Sequence, residues 1–416
     1  MRYIRIRRGI DFRFGPAPEQ QIRSDAAVSR VALLGADFPA LRPVFCVEEG
    51  ARVRAGTPLF FDRRAPTIAH VAPVAGTVRE IVRGRRRMLD RIVIEREGED
   101  SESFAVPATL DRVSLTELLA AAGAWTAFST RPFRRTPEPG TVPGAIFATA
   151  IDTRPLSPDP TVAIGEASEA FRAGLDALCI LAAGAPVFLC QARSVLLPMA
   201  DGVIPVAFSG PHPAGLPSTH IHHLHPVGGG RTVWQICYDD VLSIGHLLLT
   251  GRVRTTRIIS LAGPLVSSPA LLRTVPGAAL RELAAGSLAG RKARLLSGSP
   301  LDGRPQPFLG RFALQVSALA PPSAPRRTGT PSERLRAFLR AQPPVLIPRA
   351  AHERAAPTRI LPAPFLRALG TGDTETAARL GALELCEEDM ALLSHLDGVD
   401  YGGLLRRTLD DLEAAQ

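Results

Sequence analysis

The sequence predicts a multidomain α/β protein with four regions in series. These are a β-rich N-terminal domain, a Rossmann-like α/β domain, a small β-grasp domain and a helical C-terminal tail. Three observations carry that expectation. The first hundred residues alternate short apolar stretches with glycine turns, as β-hairpins do. The middle of the chain then runs strand, helix, strand through GAIFATAID, EASEAFRAGLDALCILAA and APVFLCQ. Finally, APPSAPRRTGTP interrupts the pattern with proline, serine and glycine, as a linker does. A chain of 416 residues also exceeds what one core can organise. The expected boundaries are 1–105, 106–255 and 256–320 for the three domains, 321–332 for the linker and 333–416 for the tail.

In VEEGARVRAGTPLFF, Gly50 and Gly56 fall where tight turns need positive φ, with Val53 and Leu59 facing inward. HVAPVAGTVREIV repeats the logic, with a turn at Pro73 and Gly76. The paired hairpins suggest a barrel-sandwich hybrid, the fold of biotinyl and lipoyl carriers. A carrier needs a lysine on the hairpin tip, and Ala65 occupies that position. With no amine there is no amide-linked prosthetic group. LTELLAAAGA reads as a helix with Thr116 as its cap. A dinucleotide site would need a glycine-rich turn after the GAIFATAID strand, yet TRPLSPDP follows, and prolines offer no N–H to a phosphate. RIISLAGPLV, LRTVPGAALRELAAG, ARLLSGSPLDG and GRFALQVSAL give strands around one helix, the β-grasp pattern. In the tail, ERLRAFLRA reads as helix, and Leu405, Leu409 and Leu412 make a helical stripe. The acidic face of ELCEEDMALL reads as solvated surface.

Composition removes several classes of function. No apolar run is long enough to span a bilayer, and MRYIRIRRG lacks the apolar stretch of a signal peptide, so a cytoplasmic location is expected. The five cysteines lie far apart with no CxxC, which excludes iron–sulfur and zinc-knuckle spacings. Net charge is +9, almost all of it arginine, since Lys292 is the only lysine. Arginine clusters occur at Arg5 to Arg8, Arg83 to Arg87 and Arg131 to Arg135. Aromatic content of 5% is too low for the stacking platforms of a nucleic-acid reader, so a basic face against an acidic protein or anionic lipid is the better reading.

HPAGLPSTHIHHLHPV holds five of the nine histidines. Pro217 and Pro226 bracket it, leaving little room for a helix, and as a strand it places His220 and His222 on one face with His223 and His225 on the other. No face then carries three ligands, and no metal site is expected.

The same run, followed by TVWQICYDDVLSIGHLLLTG, resembles the hallmark segment of the A-subunit (NqrA) family of the Na+-translocating NADH:quinone reductases. RRGIDF, VALLGADFPALRPVFCVEEGARVRAGTPLF, APVAGTVREIVRGRRR and WTAFSTRPFRRTPEPGTVPGAIFATAIDTRPLSPDP match in the same order. So do ISLAGPLV, LRTVPGAALREL, LLSGSPLDG, LGRFALQVS and LGALELCEEDMALL. The resemblance implies a barrel-sandwich domain, a Rossmann-like domain, a soluble-ligand-binding β-grasp (SLBB-like) domain and a helical tail. It implies a peripheral component on the cytoplasmic side of the cell membrane that docks on the membrane-embedded B subunit and helps bind ubiquinone. NADH oxidation, FMN, riboflavin and iron–sulfur clusters then belong to partner subunits, with no redox cofactor on this chain. A quinone needs hydrogen-bond donors for two carbonyls and an apolar wall. Thr130, Arg131 and Phe133 offer a hydroxyl, a cation and a ring on one turn, and His212, His220 and His222 are proton donors near neutral pH. Two other classes compete: a free-standing metalloenzyme using residues 212–225, and a basic scaffold for membrane or nucleic acid.

Overall fold

The structure, a computed structural model, describes residues 1–84, 88–228, 230–289, 292–321 and 347–415. The ERLRAFLRA helix, nearly all of the linker, and Arg85, Arg86 and Arg87 fall outside the described residues.

The N-terminal β domain is two small antiparallel sheets face to face. One orders β3 (Arg30–Leu34), β9 (Leu89–Arg96), β8 (Gly76–Arg83) and β5 (Arg52–Val53). The other orders β4 (Pro43–Phe45), β6 (Pro58–Asp62) and β7 (Ala65–Val71). Val31, Val53, Leu59, Phe60, Val78 and Ile92 fill the space between them, as alternation along each strand requires. Gly50 and Gly56 take φ of 88° and 94°, as expected. At Gly76 no other residue fits, because a Cβ would lie 2.0 Å from the Glu95 carbonyl oxygen.

Two early strands leave this domain. β1 (Arg2–Arg5) pairs in parallel with β13 (Val203–Ser209). β2 (Glu19–Asp25) pairs with β16 (Ala270–Thr274), within the β-grasp sheet. Neither adds to the sandwich, although sequence position alone assigned residues 1–105 to it. The α/β sheet orders β1, β13, β12 (Val187–Ala192), β11 (Ile146–Ala150), β14 (Val233–Cys237) and β10 (Ser129–Arg131), all parallel except β10.

One face of that sheet is covered by α1 (Arg112–Ala121), α3 (Ser168–Ala182) and α5 (Tyr238–Thr250); α2 (Pro160–Glu166) precedes α3. The cap of α1 is Asp111, whose side chain accepts from the Ser114 N–H. Thr116, the expected cap, lies inside the helix and donates to the Arg112 carbonyl. Glycine lets α3 and α5 meet backbone to backbone: a Cβ at Gly245 would lie 1.7 Å from the Ala170 carbonyl oxygen, and one at Gly174 would lie 2.2 Å from that of Val241. On the opposite face sits α4 (Pro217–Leu224), whose Ile221 packs with Phe147, Val206 and Phe208. The histidine run is therefore a helix, not a strand. Pro217 occupies its first turn, where a missing N–H costs nothing, so the residue read as a breaker starts the element.

The β-grasp sheet orders β17 (Arg294–Ser297), β18 (Gln315–Leu319), β15 (Arg257–Ala262), β16 and β2, with α6 (Leu280–Leu283) across it. Its core is continuous with that of the β domain through Ile259, Leu261 and Val316. After residue 347 the described chain forms α7 (Ala350–Ala355), α8 (Pro362–Thr371), α9 (Thr374–Arg379), α10 (Ala391–Asp397) and α11 (Tyr401–Ala414) around Phe365, Leu385, Met390 and Leu405. Of the predicted stripe, Leu405 and Leu409 are fully buried and Leu412 partly so.

Candidate functional site

β12 lies on one side of β11 and β14 on the other: the chain runs outward from β11 through β12 to β13 and then crosses back to place β14. The connections thus diverge at the carboxyl ends of β11 and β14, the point in an open parallel sheet where a crevice forms. Here that crevice is a cleft of about 1070 Å³ bordered by the β domain, the β-grasp domain and the C-terminal helices. Ile68, Phe128 and Ile151 give it apolar walls. Ser129, Thr149 and Gln235 also line it, on one face of three adjacent strands. The Ser129 Oγ, Thr149 Oγ1 and Gln235 Oε1 atoms are buried without a protein hydrogen-bond partner. Unsatisfied buried hydroxyls carry a desolvation cost of about 1–3 kcal/mol each. A ligand with acceptors facing the two hydroxyls would remove it.

Beside the cleft, two charged tracts meet. The turn after β10 supplies arginines, and the segment before α10 supplies carboxylates. Arg131 is fully buried. It donates to Cys386 Sγ (3.0 Å) and lies 3.9 Å from Glu388. Phe133 and Arg134 adopt left-handed φ of 73° and 54°, which sends Phe133 into the helical core while Arg134 meets Glu387 at 2.9 Å. Arg135 pairs with Asp410 (2.7 Å) and with Glu413. From the loop after β11, Arg154 reaches Asp302 of the β-grasp domain (2.8 Å), Asp152 (3.2 Å) and Glu388 of the helical region. One guanidinium therefore joins three regions. Burial favours the neutral form of Glu387, but Arg134 and Arg406 outweigh it and hold that carboxyl down to about 2. Glu388 is likewise held below its ordinary value by Arg154, Arg134 and Arg131 against its burial. Asp389 is the exception: burial and Glu388 push it up to about 6, while it accepts from Ser218 Oγ and the Cys386 N–H, both at 2.7 Å. The acidic face of ELCEEDMALL, expected to be solvated, is thus a buried counter-charge for the β10 arginines.

The six residues singled out from sequence all border this seam, but none lines the cleft. Thr130 Oγ1 donates to the Pro132 carbonyl and accepts from the Arg135 N–H. Arg131 and Phe133 face protein as described. His212 Nδ1 lies 3.2 Å from Thr153 Oγ1, His220 Nε2 lies 3.0 Å from the Ala214 carbonyl, and His222 Nδ1 lies 2.6 Å from Glu384. Burial drives His212 down to about 4 and His220 to about 3, so neither ring titrates near neutral pH. Four histidines of the run point to different partners, the Nε2 atom of the fifth, His225, is buried without one, and among the described residues no group of three His, Cys, Asp or Glu side chains is placed to hold a metal. Sequence reasoning missed Ser129, Thr149 and Gln235. The only signal was their place, at or next to the ends of strands already assigned.

Fold and site together define a class: a barrel-sandwich domain, a parallel α/β domain and a β-grasp domain closed around one shared cleft. Family models agree domain by domain. Residues 4–97 match the NqrA N-terminal barrel-sandwich hybrid domain, residues 110–253 the NqrA second alpha/beta domain, and residues 258–306 the NQRA C-terminal domain. The chain is 44% identical to the A subunit of the Na(+)-translocating NADH-quinone reductase of Pseudomonas aeruginosa, over 99% of each chain. It is 40% identical to that of Saccharophagus degradans over 99% of each, and 39% identical to that of Rhodopirellula baltica over 98% of each. The chain belongs to the NqrA family, the A subunits of the Na+-translocating NADH-quinone reductases.

Proposed function

We propose that this chain is a peripheral component of a sodium-pumping NADH:quinone reductase. It docks on the membrane-embedded B subunit on the cytoplasmic side and lends the complex part of its ubiquinone site. NADH oxidation, the flavins FMN and riboflavin, and the iron–sulfur clusters reside on partner subunits, and this chain carries no redox cofactor. The relatives' names support the complex. Among the described residues no helix is long and apolar enough to cross a membrane, which fits a peripheral position.

The observation that carries the quinone reading is the pair of unpartnered hydroxyls, Ser129 and Thr149, set among Phe128, Ile68 and Ile151. Two O–H donors beside an apolar wall match the two carbonyl acceptors and flat ring of a quinone. In this reading Thr130, Arg131, Phe133, His212, His220 and His222 act behind the site, fixing the strand ends and loops that present it. The test is the intact complex carrying Ser129→Ala with Thr149→Val. The quinone KM is expected to rise about thirty-fold, from two hydrogen bonds worth roughly 1 kcal/mol each, while NADH oxidation with an artificial acceptor is unchanged. An unchanged quinone KM removes the cleft from the quinone path. A free-standing metalloenzyme would instead show stoichiometric metal on the purified chain.

A further inference from the structure

Of the arginine clusters, the one at Arg5, Arg7 and Arg8 takes no part in the seam. All three are exposed, and none forms an ion pair among the described residues. β1 is the outer strand of its sheet, so among the described residues one of its edges pairs with no strand. Next to it, Arg193 lies over the Tyr3 ring, 4.5 Å from its centre, and Gln191 ties the following turn down by donating to the Val195 carbonyl at 2.6 Å. Leu196, which is 93% exposed, follows that turn three residues after Arg193, and Tyr3 is 41% exposed.

We propose that the β1 edge and the Arg193–Leu196 turn form a contact site for an anionic lipid surface. Leu196 and the Tyr3 ring enter the boundary between headgroups and acyl chains, and Arg5, Arg7, Arg8 and Arg193 bind the phosphates around them. An apolar tip inside a cationic collar is the arrangement that a layered interface rewards: the collar gains from negative surface potential while the tip leaves water. A partner strand added to β1 fits less well. It would cover only four residues of edge and would leave Leu196 outside the contact. The inference concerns a face remote from the unpartnered hydroxyls and does not rest on the quinone reading.

The test is co-sedimentation of the purified full-length chain with phosphatidylcholine vesicles, with and without phosphatidylglycerol. Binding is expected only to the anionic vesicles and to weaken steeply with added salt. Arg5→Gln with Arg7→Gln and Arg8→Gln should lower partitioning on the order of a hundred-fold, and Leu196→Ser about ten-fold, with the melting temperature unchanged. No binding of the parent chain to anionic vesicles, equal binding to neutral ones, or variants that bind like the parent would each overturn the proposal. If the parent ignores vesicles while the variants fail to co-purify with the rest of the complex, the face is a protein interface and the lipid assignment is wrong.

Discussion

Two arginine runs of similar composition have opposite fates in this molecule. Arg131 to Arg135 is drawn inside, where Glu387, Glu388, Asp410 and Glu413 neutralise it. Arg5 ends an outer strand, Arg7 and Arg8 follow it, and none of the three forms an ion pair among the described residues. Nothing in the runs themselves separates them. The difference is a complementary acidic tract some 250 residues away in sequence, which the fold brings to one run and not to the other. A basic cluster is thus informative about partners only after the molecule's own acids have been assigned.

The comparison is broken most directly at Arg154. Arg154→Met leaves Asp152 and Asp302 buried without their cation, while Glu388 keeps Arg131 and Arg134, so a loss of about 3–5 kcal/mol in denaturant unfolding is expected. Adding Asp302→Asn should return part of it, because neutralising one stranded carboxylate relieves the burial cost. If the double variant is no better than the single, the seam is not electrostatically coupled.

Acid provides the next test. His212 and His220 are neutral in the fold and protonate in the unfolded chain below the ordinary value of 6.5. Their contribution is complete above 6.5 and is lost as pH falls toward 4. Glu387 adds to the loss below 4.5. Asp389 has the opposite sign: it takes up its proton early in the fold, so its contribution is whole below 3.8 and lost as pH rises through about 6. The melting temperature should therefore drop between pH 6.5 and 4, less steeply in His220→Gln and more steeply in Asp389→Asn. A flat profile in the parent protein would contradict the burial of these rings.

The smallest effect belongs to the exposed run. Arg5→Gln, Arg7→Gln and Arg8→Gln together should change unfolding free energy by no more than about 0.5 kcal/mol. A large loss would mean that these arginines have structural partners after all.

Most strands of the three domains were legible, because glycine and proline at their ends fix where a chain must turn, as at Gly50, Gly56 and Gly76. The histidine helix was misread because a proline at its first turn looks like a proline that forbids it. The burial of Glu387 and Glu388 was invisible locally, since it depends on Arg134 and Arg154 in another domain. The same holds for β1 and β2, whose short polar stretches take their place only by pairing with distant strands. At the candidate site, sequence pointed to Thr130 and Arg131, which adjoin the cleft-lining Ser129 in the chain without lining the cleft themselves. It missed Ser129 and Thr149, because a hydroxyl left without a partner is a property of the assembled cleft.

The pairing of β1 with β13 also sets a timetable for biosynthesis. Arg2–Arg5 emerges from the ribosome about two hundred residues before Val203–Ser209, its one partner strand among the described residues. At roughly 5–20 residues per second that is an interval of about 10–40 s in which a basic, β-prone segment has nothing to pair with. The sheet's outer strand can then dock only once β13 has emerged. A nascent chain of this family should accordingly need shielding by a holding chaperone during that interval, and a circular permutant that moves residues 1–25 behind residue 321 should need it less.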